Sequence, residues 1–173
     1  LLLGKPMMVP RTRGVNIGAV NSDSTTTVVV LASGAGTLLQ ALIDAQGSYR
    51  ILGVVSDVDC PALQRAEEAG IGTQIVSLGA DRAAWNVELA DAVSTHSPDL
   101  VVSAGFMKIL GEDFLSRFPS RIINTHPALL PSFPGAHAVR DALAYGVRVS
   151  GSTVHIVDAG VDTGPIIAQE SVA

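Results

Sequence analysis

The sequence predicts an α/β fold, a three-layer sandwich of helices around a mostly parallel sheet. Three observations carry that expectation. β-branched apolar runs alternate with segments of helical spacing along most of the chain, which is the order of βαβ units. A Gly-rich turn, Ser33-Gly-Ala-Gly-Thr37, joins the first such run to the first helical segment. Aromatic residues make up only 4% of a chain that is 47% hydrophobic, so the core is Val, Ile, Leu and Ala, as in a parallel sheet buried on both faces.

The elements follow in order. Residues 26–32 form a continuous β-branched strand, and 38–45 a helix behind the Gly-rich turn. A second strand covers 50–56. The helix 61–69 opens with Pro61 in its first turn and closes at Gly70. A third strand spans 74–77. The helix 82–94 takes Asp81 as its N-cap. A strand over 99–104, a short helix over 111–118 and a strand over 121–124 come next. The helix 138–145 ends at Gly146, and strands follow at 153–157 and 166–169.

At 173 residues the chain fits one domain. Residues 1–25 show no periodicity and are expected to form a mobile extension outside a domain at 26–173. The chain stops at Ala173 just after a strand, so a truncated C-terminus is expected. The net charge of −5 argues against a general polyanion binder, hence no nucleic-acid partner. A single cysteine, Cys60, builds neither a disulfide framework nor a Cys-rich zinc site and suits a reduced, cytoplasmic setting. No apolar run approaches the ~20 residues that span a bilayer, so no membrane role is expected.

Three constellations carry chemistry. Asn124 and His126 stand two apart at the end of a strand and share one face. Ligands bind at strand C-terminal ends in open α/β sheets. The Pro-rich segment that follows, Pro127 to Gly135, can fix a cleft wall. An amide and an imidazole together can hold a carbonyl and move a proton. A structural histidine is the plainer alternative. The Ser33–Thr37 turn can admit an anion to backbone amides, or be only a tight turn. It matches neither the dinucleotide nor the P-loop fingerprint. Asp158 and Asp162 lie in a Gly-rich loop and are either a solvated turn or partners of a histidine. His126, His137 and His155 with an acid match no zinc spacing, and no metal is expected. His155 reads as a core or supporting residue, and His96 as exposed. Phe106–Leu110 can be plain core, and Arg82 with Trp85 an ordinary cap and packing pair.

Ser33-Gly-x-Gly, Ala104-Gly-Phe-Met-Lys-Ile-Leu110, Asn124-Thr-His-Pro-Ala-Leu-Leu-Pro131, Pro134-Gly-x-His137 and Val157…Asp162-Thr-Gly-Pro165 occur together and in this order. In this the chain resembles the phosphoribosylglycinamide formyltransferase (GAR transformylase) family of folate-dependent enzymes, from about Thr27 onward. The resemblance implies a Rossmann-like formyltransferase fold. It implies transfer of a formyl group from 10-formyltetrahydrofolate, as co-substrate, to the amine of 5′-phosphoribosylglycinamide in purine synthesis. Asn124, His126 and Asp162 would be catalytic. Gly36, Thr37 and Leu38 would contact the substrate phosphate. Arg82, Met107, Lys108, Ile109, Leu110 and Asn124 would contact the folate. Leu38 stands where relatives often carry a polar residue, which assigns phosphate binding to backbone amides. Partners would be small molecules, and a homodimer is compatible with the sequence.

Related enzymes form the alternatives. Methionyl-tRNA formyltransferases differ at the first turn and typically have Arg-Gly in place of Pro134-Gly135. Formyltetrahydrofolate deformylases usually carry a regulatory domain, for which residues 1–25 are too short. A non-catalytic folate- or nucleotide-binding module is the alternative from another class.

Overall fold

The structure, a computed structural model, describes residues 25–172. Seven strands form one sheet: β1 (Thr26–Ala32), β2 (Tyr49–Ser56), β3 (Thr73–Ile75), β4 (Leu100–Ser103), β5 (Ile122–His126), β6 (Ser150–Ile156) and β7 (Ile166–Val172). Their order is β3-β2-β1-β4-β5-β6-β7. β1 to β5 pair in parallel, and β6 and β7 are antiparallel additions. The mostly parallel α/β sandwich expected from the alternation is therefore present.

The helices are α1 (Thr37–Asp44), α2 (Pro61–Glu68), α3 (Arg82–Ser94), α4 (Glu112–Leu115) and α5 (Ala138–Tyr145). Alternate residues of β1 explain the layers, because successive side chains leave opposite faces of a strand. Val28, Val30 and Ala32 pack with Leu39 of α1 and Ala62, Leu63 and Ala66 of α2. Val29 and Leu31 pack with Trp85, Leu89 and Val93 of α3 and Phe114 of α4. β1 is buried on both sides, which is why it reads as an unbroken apolar run.

Local chemistry sets the boundaries. The Asp81 side chain accepts from the Ala83 and Ala84 backbone N–H groups, so α3 starts where its cap predicts. Pro61 opens α2, and Gly146 ends α5 in the left-handed region at φ 82. Trp85 is 2% exposed, and its indole N–H donates to the Val76 carbonyl at 2.8 Å.

Several expectations need correction. β5 runs two residues past Asn124, to His126, because β6 pairs alongside it with His126 opposite Thr153. β6 starts at Ser150 and β7 continues to Val172 because each completes the other's ladder. α4 is one turn long, since Pro119 and a left-handed Ser120 follow it closely. His96 is half-buried rather than exposed, and its ring fills the space beside Gly53, where a Cβ would stand 2.9 Å from it. The expected extension falls almost wholly on residues 1–24, outside the described residues.

The order reversal positions the site. β2 and β3 lie on one side of β1, and β4 and β5 on the other. The chain leaving β1 and the chain leaving β4 therefore diverge, opening a crevice beyond the strand ends.

Two stability outcomes follow. Trp85→Ala should cost about 3–5 kcal/mol in urea unfolding, through lost burial and an orphaned Val76 carbonyl. Asp99 accepts from both the Thr27 backbone N–H and its hydroxyl at 2.7 Å, and these bonds hold its carboxyl below the usual carboxylate range. A depressed folded value means the stabilisation is present above the unfolded value of about 4 and fades as pH falls through the folded one. Urea midpoints of Asp99→Asn should thus lie below wild type at pH 7, with the gap closing in acid.

Candidate active site

β5 carries Asn124 and His126 on one face of the sheet, into a cleft of about 630 Å³. The Gly34–Leu38 turn forms one wall, residues 104–110 another, and the 158–162 loop a third. Of the residues expected to be catalytic, phosphate-contacting or folate-contacting, all line this cleft except Arg82, and His137 and His96 lie outside it too.

His126 is 4% exposed and engaged at both ring nitrogens. Its Nε2 lies 2.8 Å from the Phe133 carbonyl oxygen. A carbonyl only accepts, so Nε2 carries the proton there. Its Nδ1 lies 3.3 Å from Asp162 Oδ2. That same oxygen accepts the Gly135 backbone N–H at 2.7 Å, so the carboxylate is fixed from two sides. Asp162 holds this position in a left-handed conformation at φ 55, and Phe133 is left-handed too at φ 53. Aspartate tolerates that region better than most residues, and a bulky phenylalanine does so at a cost. Both unusual backbones serve the same imidazole.

Asn124 faces His155 across the β5–β6 ladder, its exact register partner. The Asn124 amide nitrogen lies 3.2 Å from His155 Nε2. His155 Nδ1 lies 2.9 Å from the Ile156 carbonyl and so donates to it. Nε2 of a neutral ring is then an acceptor, which turns the Asn124 NH₂ toward it. One amide hydrogen goes to His155, and the other is available to an acceptor in the cleft. His155 Nε2 is also 3.5 Å from Asp162 Oδ1, so one carboxylate sits between two imidazoles.

The Gly-rich turn presents backbone. Gly36 caps α1 at φ 72 with no side-chain cap bond, so the helix N-terminus has free N–H groups. A Cβ on Gly36 would lie 2.7 Å from Ala62 Cα, so glycine is required both by φ and by the approach of α2. Arg65 Nε supports the turn by donating to the Ala35 carbonyl at 2.9 Å. Leu38 contributes only an apolar side chain beside these amides.

The 104–110 segment divides by residue. Phe106 stacks on Trp85 with centroids 6.3 Å apart, and Leu110 is buried. Met107 and Ile109 are instead 62% and 60% exposed, so the segment is not simple core. Lys108 Nζ lies 3.2 Å from Asp57 Oδ2. Arg82 stands behind the segment, with one guanidinium N–H donated to the Ile109 carbonyl at 2.8 Å.

Among the described residues no group of three His, Cys, Asp or Glu is arranged to hold a metal ion, so the zinc grouping weighed from sequence does not form. No described helix is long and apolar enough to cross a membrane. Sequence alone did not bring out the Phe133 carbonyl, the Gly135 amide or Asp57. The first two are backbone groups, and Asp57 sits in an ordinary polar turn. His155 carried one signal, since Thr153 and His155 alternate on a strand as Asn124 and His126 do.

The chain belongs to the formyl transferase family, whose sequence pattern covers residues 26–173. Among its relatives, phosphoribosylglycinamide formyltransferase of Mycobacterium tuberculosis is 57% identical over 150 residues, covering 84% of this chain and 70% of that protein. The Escherichia coli phosphoribosylglycinamide formyltransferase is 43% identical over 152 residues, covering 84% of this chain and 72% of that one. The crystal structure of glycinamide ribonucleotide transformylase 1 from Symbiobacterium toebii superposes with a TM-score of 0.82 at 42% identity, covering 86% of this chain and 73% of that one.

Gly36→Ala should destabilise the protein by about 1–3 kcal/mol, measured as a lower urea midpoint, because it forces a Cβ into both a left-handed backbone and α2.

Proposed function

We propose that this cleft transfers a formyl group from 10-formyltetrahydrofolate to the amine of 5′-phosphoribosylglycinamide, a step of de novo purine biosynthesis. The observation that carries the proposal is the Asn124–His126–Asp162 constellation, bounded by an amide-rich turn on one side and an exposed apolar segment on the other. The similarity to phosphoribosylglycinamide formyltransferases supports the same choice of substrates.

The groups present fit both substrates. Backbone amides at Gly36, Thr37 and Leu38 suit a phosphate, which needs donors rather than net charge. Met107 and Ile109 offer apolar contact to a flat heterocycle, while the backbone of 107–110 offers polar groups at its edge. Arg82 holds that backbone through Ile109, and its other N–H groups are suited to a carboxylate of the folate.

In the mechanism, the substrate amine attacks the formyl carbon and negative charge gathers on the formyl oxygen. The second Asn124 amide hydrogen donates to that oxygen. His126, protonated at Nδ1 beside Asp162, supplies positive charge to the same oxygen. Its Nε2–H is bonded to Phe133, so direct donation requires exchange of the Phe133 carbonyl for the formyl oxygen. A donor of this type contributes roughly 3–4 kcal/mol. Asp162 keeps the imidazole oriented while the amine loses a proton and the departing folate nitrogen gains one. The chain supplies these functions with no covalent enzyme intermediate.

His126→Ala and Asp162→Ala should each slow formyl transfer by about 100-fold or more while far-UV circular dichroism stays native. Turnover near wild type in either variant would sink the roles given to these residues. Formate release without the ribonucleotide would point to a hydrolase instead.

A further inference from the structure

Behind the cleft wall lies a polar network that the proposed reaction does not use. Asp57 follows β2 and is 2% exposed. Its Oδ1 accepts the Ser33 hydroxyl at 2.5 Å, and its Oδ2 lies 3.2 Å from Lys108 Nζ. Ser33 Oγ in turn accepts the Met107 backbone N–H at 3.0 Å. Two threads thus join the 107–108 segment to the start of the Gly-rich turn, across 74 residues of sequence. Both converge on one buried carboxylate.

A buried carboxylate is stable only while its oxygens are matched. Asp57 has matched both: Lys108 belongs to one wall of the cleft, and Ser33 heads the Gly34–Leu38 turn that forms another. Moving either wall alone would strip an oxygen of its partner. The two walls are therefore held as one body rather than two loops.

We propose that Asp57 is a positioning residue that locks the phosphate-binding turn to the folate-binding segment, so that each substrate binds tighter when the other is present. This rests on the assignment of those two segments given above. The physical basis is shared ordering. A ligand that orders one wall also orders the wall clamped to it, so the second ligand meets a site already arranged. Such coupling is reciprocal by necessity. Lys108 in this view acts through its ammonium on Asp57, and its backbone faces the folate.

Calorimetry on the full chain tests the clamp. Phosphoribosylglycinamide is titrated with and without saturating tetrahydrofolate, which carries no formyl group and allows no turnover. Wild type should bind the ribonucleotide at least about fivefold tighter with folate present, and the reverse titration should return the same factor. The factor should fall to about one in Asp57→Ala and in Lys108→Met, and persist in Lys108→Arg, which can still pair with Asp57. The Lys108 side chain is one-third exposed, so Lys108→Met breaks the clamp even if Asp57→Ala fails to fold.

A role limited to stability would lower the urea midpoint of these variants and leave the factor intact, which would overturn the proposal. So would a wild-type factor of one when both ligands bind. Failure of wild type to bind either ligand would overturn the function itself, and the clamp with it.

Discussion

The site depends on β5 having two different neighbours. On one side β5 pairs in parallel with β4, which places its C-terminal end at the crevice. On the other it pairs antiparallel with β6, which brings a later strand back across the same end. The parallel edge puts Asn124 and His126 where a ligand can reach them. The antiparallel edge supplies His155 opposite Asn124 and Thr153 opposite His126. A slip of one residue in the β5–β6 register would send His155 to the other face of the sheet and leave the Asn124 amide unoriented.

The loops are then arranged around the imidazole rather than around one another. Phe133, Gly135 and Asp162 come from two separate segments, yet each makes a polar contact that ends on His126 or on its carboxylate partner. Two of the three occupy left-handed backbone conformations without being glycine. Strain of this kind persists where the surroundings over-determine it. Here the over-determination is the set of bonds to one buried ring.

Much of the fold is legible in the sequence because its signals are local. Asp81 announces α3, Pro61 announces α2, and the apolar run at 26–32 announces a central strand. The misplacements share a cause. β5 was expected to stop at Asn124 because Thr-His-Pro carries no strand signal, and its extension comes from β6, about 30 residues away, as the Asn124–His155 pairing shows. His96 was expected to be exposed because a polar helix end gives no hint of Gly53 lying beneath it. At the site, Asn124 and His126 are legible from spacing, and the Gly-rich loop offers Asp158 and Asp162 alike as partners of a histidine, with only a resemblance to choose Asp162. The Phe133 carbonyl and the Asp57 clamp were beyond reach, since a backbone acceptor has no residue signature and a tertiary ion pair has no period.

Trp85 is the only tryptophan in the chain. It stacks on Phe106 at the root of the 104–110 wall and lies beneath the Arg82 guanidinium, 5.9 Å from its ring centroid. Indole emission responds to exactly such neighbours, a stacked ring and a nearby cation. The protein therefore carries a built-in fluorophore under one wall of its cleft. Its intensity and wavelength report the local state of that wall in solution, with no label attached and no second tryptophan to dilute the signal.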